Sequence, residues 1–207
     1  KRRPPGAGEV EIEVKAVGVN FRDILLAHGL MPSDAFNSGF TGHRLGMECA
    51  GTVVGCGEGS RFRAGDRVMA FASGAFSSHV TVSQTTVLGL PDDVDFAAGA
   101  ALPVVFLTAD YALRELARAR KGETVLIHGA AGGVGLAAIQ IARQLGLRIV
   151  AGTGSQEKRR LIKALGVDCV VDSRSSDFDR HVLAFTGGTG VDIVLNSLSG
   201  DVIPRSL

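Results

Sequence analysis

The sequence predicts an α/β protein in two parts. Residues 1–95 read as a compact, β-rich N-terminal domain, and residues 96–207 as a doubly wound parallel sheet that is truncated at its C-terminus. Three observations carry this. Up to about residue 90, apolar residues recur with period two in short runs broken by turn residues. Beyond about residue 96, strand-like and helix-like stretches alternate, as βαβ units with both sheet faces covered do. Four strands can be counted there, where a complete doubly wound domain has about six.

Each element follows from its local pattern. "EVEIEVKAVGVN" (9–20) alternates charged and apolar positions, as a half-buried strand does, and "FRDILLAHG" (21–29) is the one helix of the first part, closed by Gly29. "CAGTVVGCG" (49–57) and "DRVMAFA" (66–72) are short strands separated by the turn-rich "GEGSRFRAG", and "SSHVTVSQTTVLGLP" (77–91) adds more. "DFAAGAALPVVFLTADYALRELARA" then predicts a helix, a break at Pro103 and a long helix. Strands "TVLIHGA", "RIVAGTG", "DCVVDS" and "VDIVLNSL" follow, separated by helices "GVGLAAIQIARQLG", "EKRRLIKALG" and "DFDRHVLAFTGG".

Composition excludes several classes. Lys+Arg 22 against Asp+Glu 21 leaves a formal charge of +1, too little for a nucleic-acid footprint or a polybasic membrane patch. No run reaches the ~18 apolar residues of a membrane helix, and the opening "KRRPP" leads into no apolar signal segment. Cys49, Cys56 and Cys169 are odd in number and lack CxxC spacing, which argues against a disulfide framework and points to a reducing, cytoplasmic setting. His28, His43, His79, His128 and His181 are scattered with no HxxxH spacing, and each reads as a surface or satisfied core histidine, so no metal site is expected. No GxSxG elbow supports a serine hydrolase.

The chemistry concentrates in "LIHGAAGGVGLAAIQ" (126–140). A strand, the turn Ala130-Ala131-Gly132-Gly133-Val134-Gly135 and an apolar helix match the dinucleotide-binding context. Gly132, Gly133, Val134 and Gly135 would let the backbone approach a pyrophosphate at a helix N-terminus. The competing reading is a tight turn with helix–strand packing only. The next strand ends in "AGTGSQEKRR", with no acid over 151–156 to hold a ribose diol. Ser155 and Lys158 could instead bind a 2′-phosphate, so the expected cofactor is NADPH. A solvated, charged helix start is the alternative account of these cations.

Taken together, "GVNFRDILLAHG", "LGMECAGTVV", "GDRVMAFASGAFSSHVTV", "ALPVVFLTADYAL", "LIHGAAGGVGLAAIQIAR" and "VDIVLNSLSG" resemble the enoyl reductase domain of type I polyketide synthases and animal-type fatty acid synthases. These are zinc-free, quinone-oxidoreductase-like members of the medium-chain dehydrogenase/reductase superfamily. The resemblance runs the length of the chain. It implies a GroES-like substrate domain, a Rossmann domain, and an active site in the cleft between. It also implies hydride delivery from NADPH to the β-carbon of an enoyl thioester on an acyl carrier protein, beside the other domains of a parent synthase. Zinc-dependent relatives have a ligand His where this chain has Met47 and a ligand Cys near Asn20; both are replaced.

By the same resemblance Ser173 and Arg174 join the 2′-phosphate grip, and Thr108 and Asn196 face the nicotinamide end. Asn20, Met31 and Phe106 belong to the nicotinamide and substrate pocket. Many modular reductases have a tyrosine where Met31 stands, and animal synthases have a lysine where Val202 stands, so no catalytic acid can be named. Tyr111, the one tyrosine, reads as core. A stand-alone NADPH:quinone oxidoreductase and a non-catalytic module of the same fold remain open, as does oligomeric state, a homodimer included.

Overall fold

The computed structural model describes residues 2–31, 42–175, 177–200 and 202–206. The chain divides into two compact units, Lys1–Val104 and Val105–Leu207.

The first unit is a five-stranded antiparallel sheet in the order β4-β1-β2-β3-β5. Its strands are β1 (Glu9–Val17), β2 (Glu48–Cys56), β3 (Arg67–Phe71), β4 (His79–Ser83) and β5 (Val87–Gly89). Helix α1 (Phe21–Ala27) follows β1 and α2 (Phe96–Ala100) follows β5. The period-two pattern of β1 sends Val10 and Ile12 into a core with Cys49, Val53, Val68, Ala70, Val80 and Val87. Glu11, although charged, is also buried: the Arg2 guanidinium grips both its oxygens, at 2.7 and 3.0 Å. Helix α2 is capped by Asp95, whose Oδ1 accepts the Ala98 N–H at 2.7 Å. Its Ala100 shares a small core with Ala50 and Leu90. The patterning changes at 95/96, but the compact units divide at Val104/Val105, because α2 packs on the antiparallel sheet.

The second unit holds the four expected strands as a parallel sheet in the order β8-β7-β6-β9. These are β6 (Thr124–Ile127), β7 (Arg148–Thr153), β8 (Cys169–Asp172) and β9 (Ile193–Leu195). Helices α3 (Pro103–Asp110), α4 (Gly133–Gln144), α5 (Gln156–Ala164), α6 (Phe178–Phe185) and α7 (Val202–Arg205) accompany them. Successive residues of β6 face opposite layers. Val125 and Ile127 join Ala137, Ala138, Ile141 and Ile162 on one side, while Leu126 joins Phe178 and Val182 on the other. Both faces are therefore covered, as the near-continuous apolar strands required.

Two departures occur after Pro103. The helix continues from Asp110 into a π-helical turn, Tyr111–Leu116, in which Ala117 N–H donates to Ala112 O at 2.9 Å. Tyr111, expected in the core, is 59% exposed. It is the first residue of the π turn, and its side chain faces solvent there.

The thiols give a direct check on this packing. Cys49 is fully buried, and burial, with the nearby Glu48 charge, pushes its thiol up to about 12. At pH 8 its thiolate fraction is thus about one in ten thousand. Iodoacetamide is expected to modify exposed Cys56 and leave Cys49 intact. Peptide mass spectrometry finding Cys49 alkylated in the folded protein would contradict that packing.

Candidate functional site

In the second unit the site is built around the end of β6. His128 N–H donates to Leu195 O of β9 at 3.0 Å, and Ala130 N–H to Gly152 O of β7 at 3.1 Å, so the turn is anchored to both neighbouring strands. Gly129 adopts φ 61°, a left-handed conformation that favours glycine. Gly132 N–H then donates to Gly129 O at 2.8 Å, and Gly132 stands at the N-cap of α4 with no side-chain cap.

The glycines of this turn differ in what they allow. Gly135 is buried, and a Cβ there would lie 2.6 Å from both Ala130 Cα and Gly129 O, so its role is close helix–strand packing. Gly132 and Gly133 are exposed at the mouth of the twelve-residue helix. A Cβ at Gly133 would meet Val105 Cγ1 of α3 at 2.9 Å. Val134 is half-buried against the core. Packing and ligand approach are therefore divided along the motif, and an uncapped helix start beside two exposed glycines fits a pyrophosphate.

Ser155, Lys158, Ser173 and Arg174 come together at the C-terminal ends of adjacent strands β7 and β8. Thr153 and Asp172 are register partners, and Ser173 N–H donates to Thr153 O at 3.4 Å. Ser155 caps α5, its Oγ accepting from Lys158 N–H at 3.2 Å, and the Lys158 side chain is exposed. Arg159 is committed elsewhere: its Nη1 lies 2.7 Å from Asp172 Oδ2. Asp172 Oδ1 accepts the Arg174 N–H at 3.0 Å. The Arg174 side chain crosses Gly154, where a Cβ would lie 2.9 Å from its Cδ. The sequence presented Lys158, Arg159, Arg160 and Arg174 with the Ser155 and Ser173 hydroxyls, without showing which were already paired.

Thr108 and Phe106 lie on α3, Thr108 exposed and Phe106 half-buried against the core that includes α4. Asn196 follows β9, and its amide closes a local turn: Nδ2 donates to Leu198 O at 2.9 Å and Oδ1 accepts from Leu198 N–H at 3.0 Å.

Asn20 and Met31 belong to the first unit. Met31 is half-buried just after α1. Asn20 precedes α1 and is held by two buried carboxylates. Its N–H donates to Asp23 Oδ2 at 2.9 Å, and its Nδ2 to Glu48 Oε1 at 2.9 Å. Asp23 Oδ1 also accepts the Gly46 N–H, and Glu48 Oε2 the Val104 N–H, each at 2.8 Å. Asp23 and Glu48 are each 2% exposed. Burial pushes the Glu48 carboxyl above its ordinary range, with the Asp23 charge adding to the shift and the two donated hydrogen bonds opposing it.

Both acids lie inside "GVNFRDILLAHG" and "LGMECAGTVV", but sequence reasoning did not single them out, since a buried acid looks like any other until its partners are known. It also missed the state of His128, which is 2% exposed. The Ser206 hydroxyl donates to Val202 O at 2.7 Å, so its Oγ accepts from His128 Nε2–H at 2.9 Å. His128 Nδ1 then has no partner among the described residues, which corrects the expectation of a surface or satisfied histidine. Burial lowers its pKa.

Two family models match the chain: the alcohol dehydrogenase GroES-like domain over residues 6–101 and the zinc-binding dehydrogenase over 133–207. The described residues do not fit a zinc ion. Met47 stands at one expected ligand position, the Asn20 amide is engaged by Glu48, and among the described residues no three His, Cys, Asp or Glu side chains could hold a metal. The pikromycin polyketide synthase component PikAII of Streptomyces venezuelae is 45% identical over 207 residues, spanning 99% of this chain and 5% of the relative. The CurK enoyl reductase crystal structure matches with a TM-score of 0.93 at 44% identity, covering 100% of this chain and 64% of that one. The Escherichia coli quinone oxidoreductase, solved with NADPH, matches with a TM-score of 0.82 at 33% identity, covering 100% of this chain and 63% of that one. The chain thus spans a small fraction of the synthase and just under two thirds of the solved enzymes. With GroES-like and parallel-sheet units in the expected order, both matched by dehydrogenase family models, the chain belongs to the medium-chain dehydrogenase/reductase superfamily and is similar over its full length to a polyketide synthase component and to a solved enoyl reductase.

Proposed function

We propose that this chain is the main part of an NADPH-dependent enoyl reductase of a polyketide synthase, reducing the α,β-double bond of an acyl thioester held on an acyl carrier protein. The observation that carries the reading is the 44% identity to the CurK enoyl reductase across the whole chain. The local geometry supports it residue by residue. The uncapped start of α4 and exposed Gly132 and Gly133 take the pyrophosphate. Ser155, Lys158, Ser173 and Arg174 take the 2′-phosphate, with Arg159 excluded by its pairing to Asp172. Thr108, Phe106 and Asn196 serve the nicotinamide end, and Asn20 and Met31 serve the reacting end. When bound, NADPH supplies the hydride that goes to the β-carbon. Met31 has no proton to transfer, so protonation of the α-carbon does not come from that position.

The similarity to a quinone oxidoreductase makes quinone reduction the second reading. Both are tested by following NADPH oxidation with a crotonyl thioester and with a simple quinone, using the intact protein that carries this chain. Faster thioester turnover is expected. Turnover of quinone alone would transfer the chain to the second reading, and turnover of neither would reject both.

A further inference from the structure

The geometry points to Glu48 as a positioning residue of the reductase: it holds the Asn20 amide in the one orientation that serves the reacting end. This rests on the reading above that Asn20 serves that end. Four observations converge on it.

An ionised carboxylate has only acceptors, so it faces the Nδ2 end of Asn20 and fixes which way the amide points. The second Glu48 oxygen is occupied by Val104 N–H, so the carboxylate cannot swing away without leaving a buried donor unpaired. Gly18 reserves the space: a Cβ there would lie 2.5 Å from Glu48 Cγ. The Asn20 backbone is pinned separately by Asp23, itself anchored to Gly46 N–H. A carboxylate buried to 2% exposure is unfavourable unless fully paired, and here each oxygen has its donor. Burial also raises its proton affinity, which measures the cost of keeping it there. An apolar side chain could fill this volume; it could not orient an amide.

Glu48→Gln separates orientation from packing. The introduced amide keeps the shape, but both neighbours, Asn20 Nδ2 and Val104 N–H, are donors, so its NH2 must oppose one of them. The test uses Glu48→Gln, Asn20→Ala and the double variant in the intact protein, each read in two ways. NMR of the Asn20 side-chain NH2 reports orientation without substrate, and kcat/KM for the crotonyl thioester reports its consequence. Glu48→Gln is expected to shift the Asn20 NH2 resonances and lower kcat/KM about tenfold, with NADPH affinity within about twofold. The double variant is expected to be no worse than Asn20→Ala, because Glu48 acts through Asn20.

Unchanged Asn20 resonances, unchanged kcat/KM in Glu48→Gln, or losses that multiply in the double variant would each overturn the proposal, as would a silent Asn20→Ala. A wild type that shows the coupled resonances but no thioester turnover would reject the enoyl reductase reading and leave the Asn20–Glu48 linkage standing. If Glu48→Gln does not fold, the pair Asn20→Asp with Glu48→Gln is read instead, since it re-forms the bond with donor and acceptor exchanged. Recovery of folding supports the linkage, and continued failure overturns it in favour of a role through Val104.

Discussion

Gly135→Ala is expected to lower the melting temperature, whereas Gly132→Ala should weaken NADPH binding with little change in melting. The new Cβ at 135 would lie 2.6 Å from Ala130 Cα and from Gly129 O, both backbone atoms. That backbone is tied down, since Ala130 N–H is bonded to Gly152 O on β7. Forcing the fit carries the usual overpacking cost of about 1–3 kcal/mol. A chain of this length loses roughly 2–4 °C per kcal/mol. At Gly132 a Cβ would lie 3.2 Å from Gly129 O, tight but tolerable, and φ is −90°. There the methyl group occupies the approach to the helix start instead. Differential scanning calorimetry and cofactor titration separate the two effects, and a wild-type melt for Gly135→Ala would contradict the packing role.

The second large effect concerns cofactor choice. Lys158→Ala and Arg174→Ala should each weaken NADPH by roughly tenfold to a hundredfold, from the loss of a charged hydrogen bond worth about 1.5–3 kcal/mol. NADH, which has no 2′-phosphate, should be held almost unchanged. Arg159→Ala is the informative contrast. Its guanidinium is engaged by Asp172, so selectivity should scarcely move, and a half-buried surface pair of this kind contributes about 0–1 kcal/mol to stability. Equal losses for both cofactors in Lys158→Ala would remove that lysine from the 2′-phosphate role.

Much of this is legible in the sequence alone. Alternation in "EVEIEVKAV", the glycine turn after "TVLI" and the serial βα pattern are local signals, set by backbone periodicity and by the few residues able to make a given turn. They defined two sheets of opposite kind and the strand end where a dinucleotide would sit. Tertiary structure decided what depends on partners distant in sequence. It committed Arg159 to Asp172 and left Lys158 exposed; it turned the Asn196 amide back onto Leu198; it placed Tyr111 outward on a π turn; and it gave His128 Nδ1 no partner among the described residues. Above all it joined Glu48 to Asn20, 28 residues apart, in a slot kept open by Gly18. A charge or an amide is described by its type in the sequence, but its free energy is set by burial and by the donor or acceptor opposite, and only the folded chain brings those together.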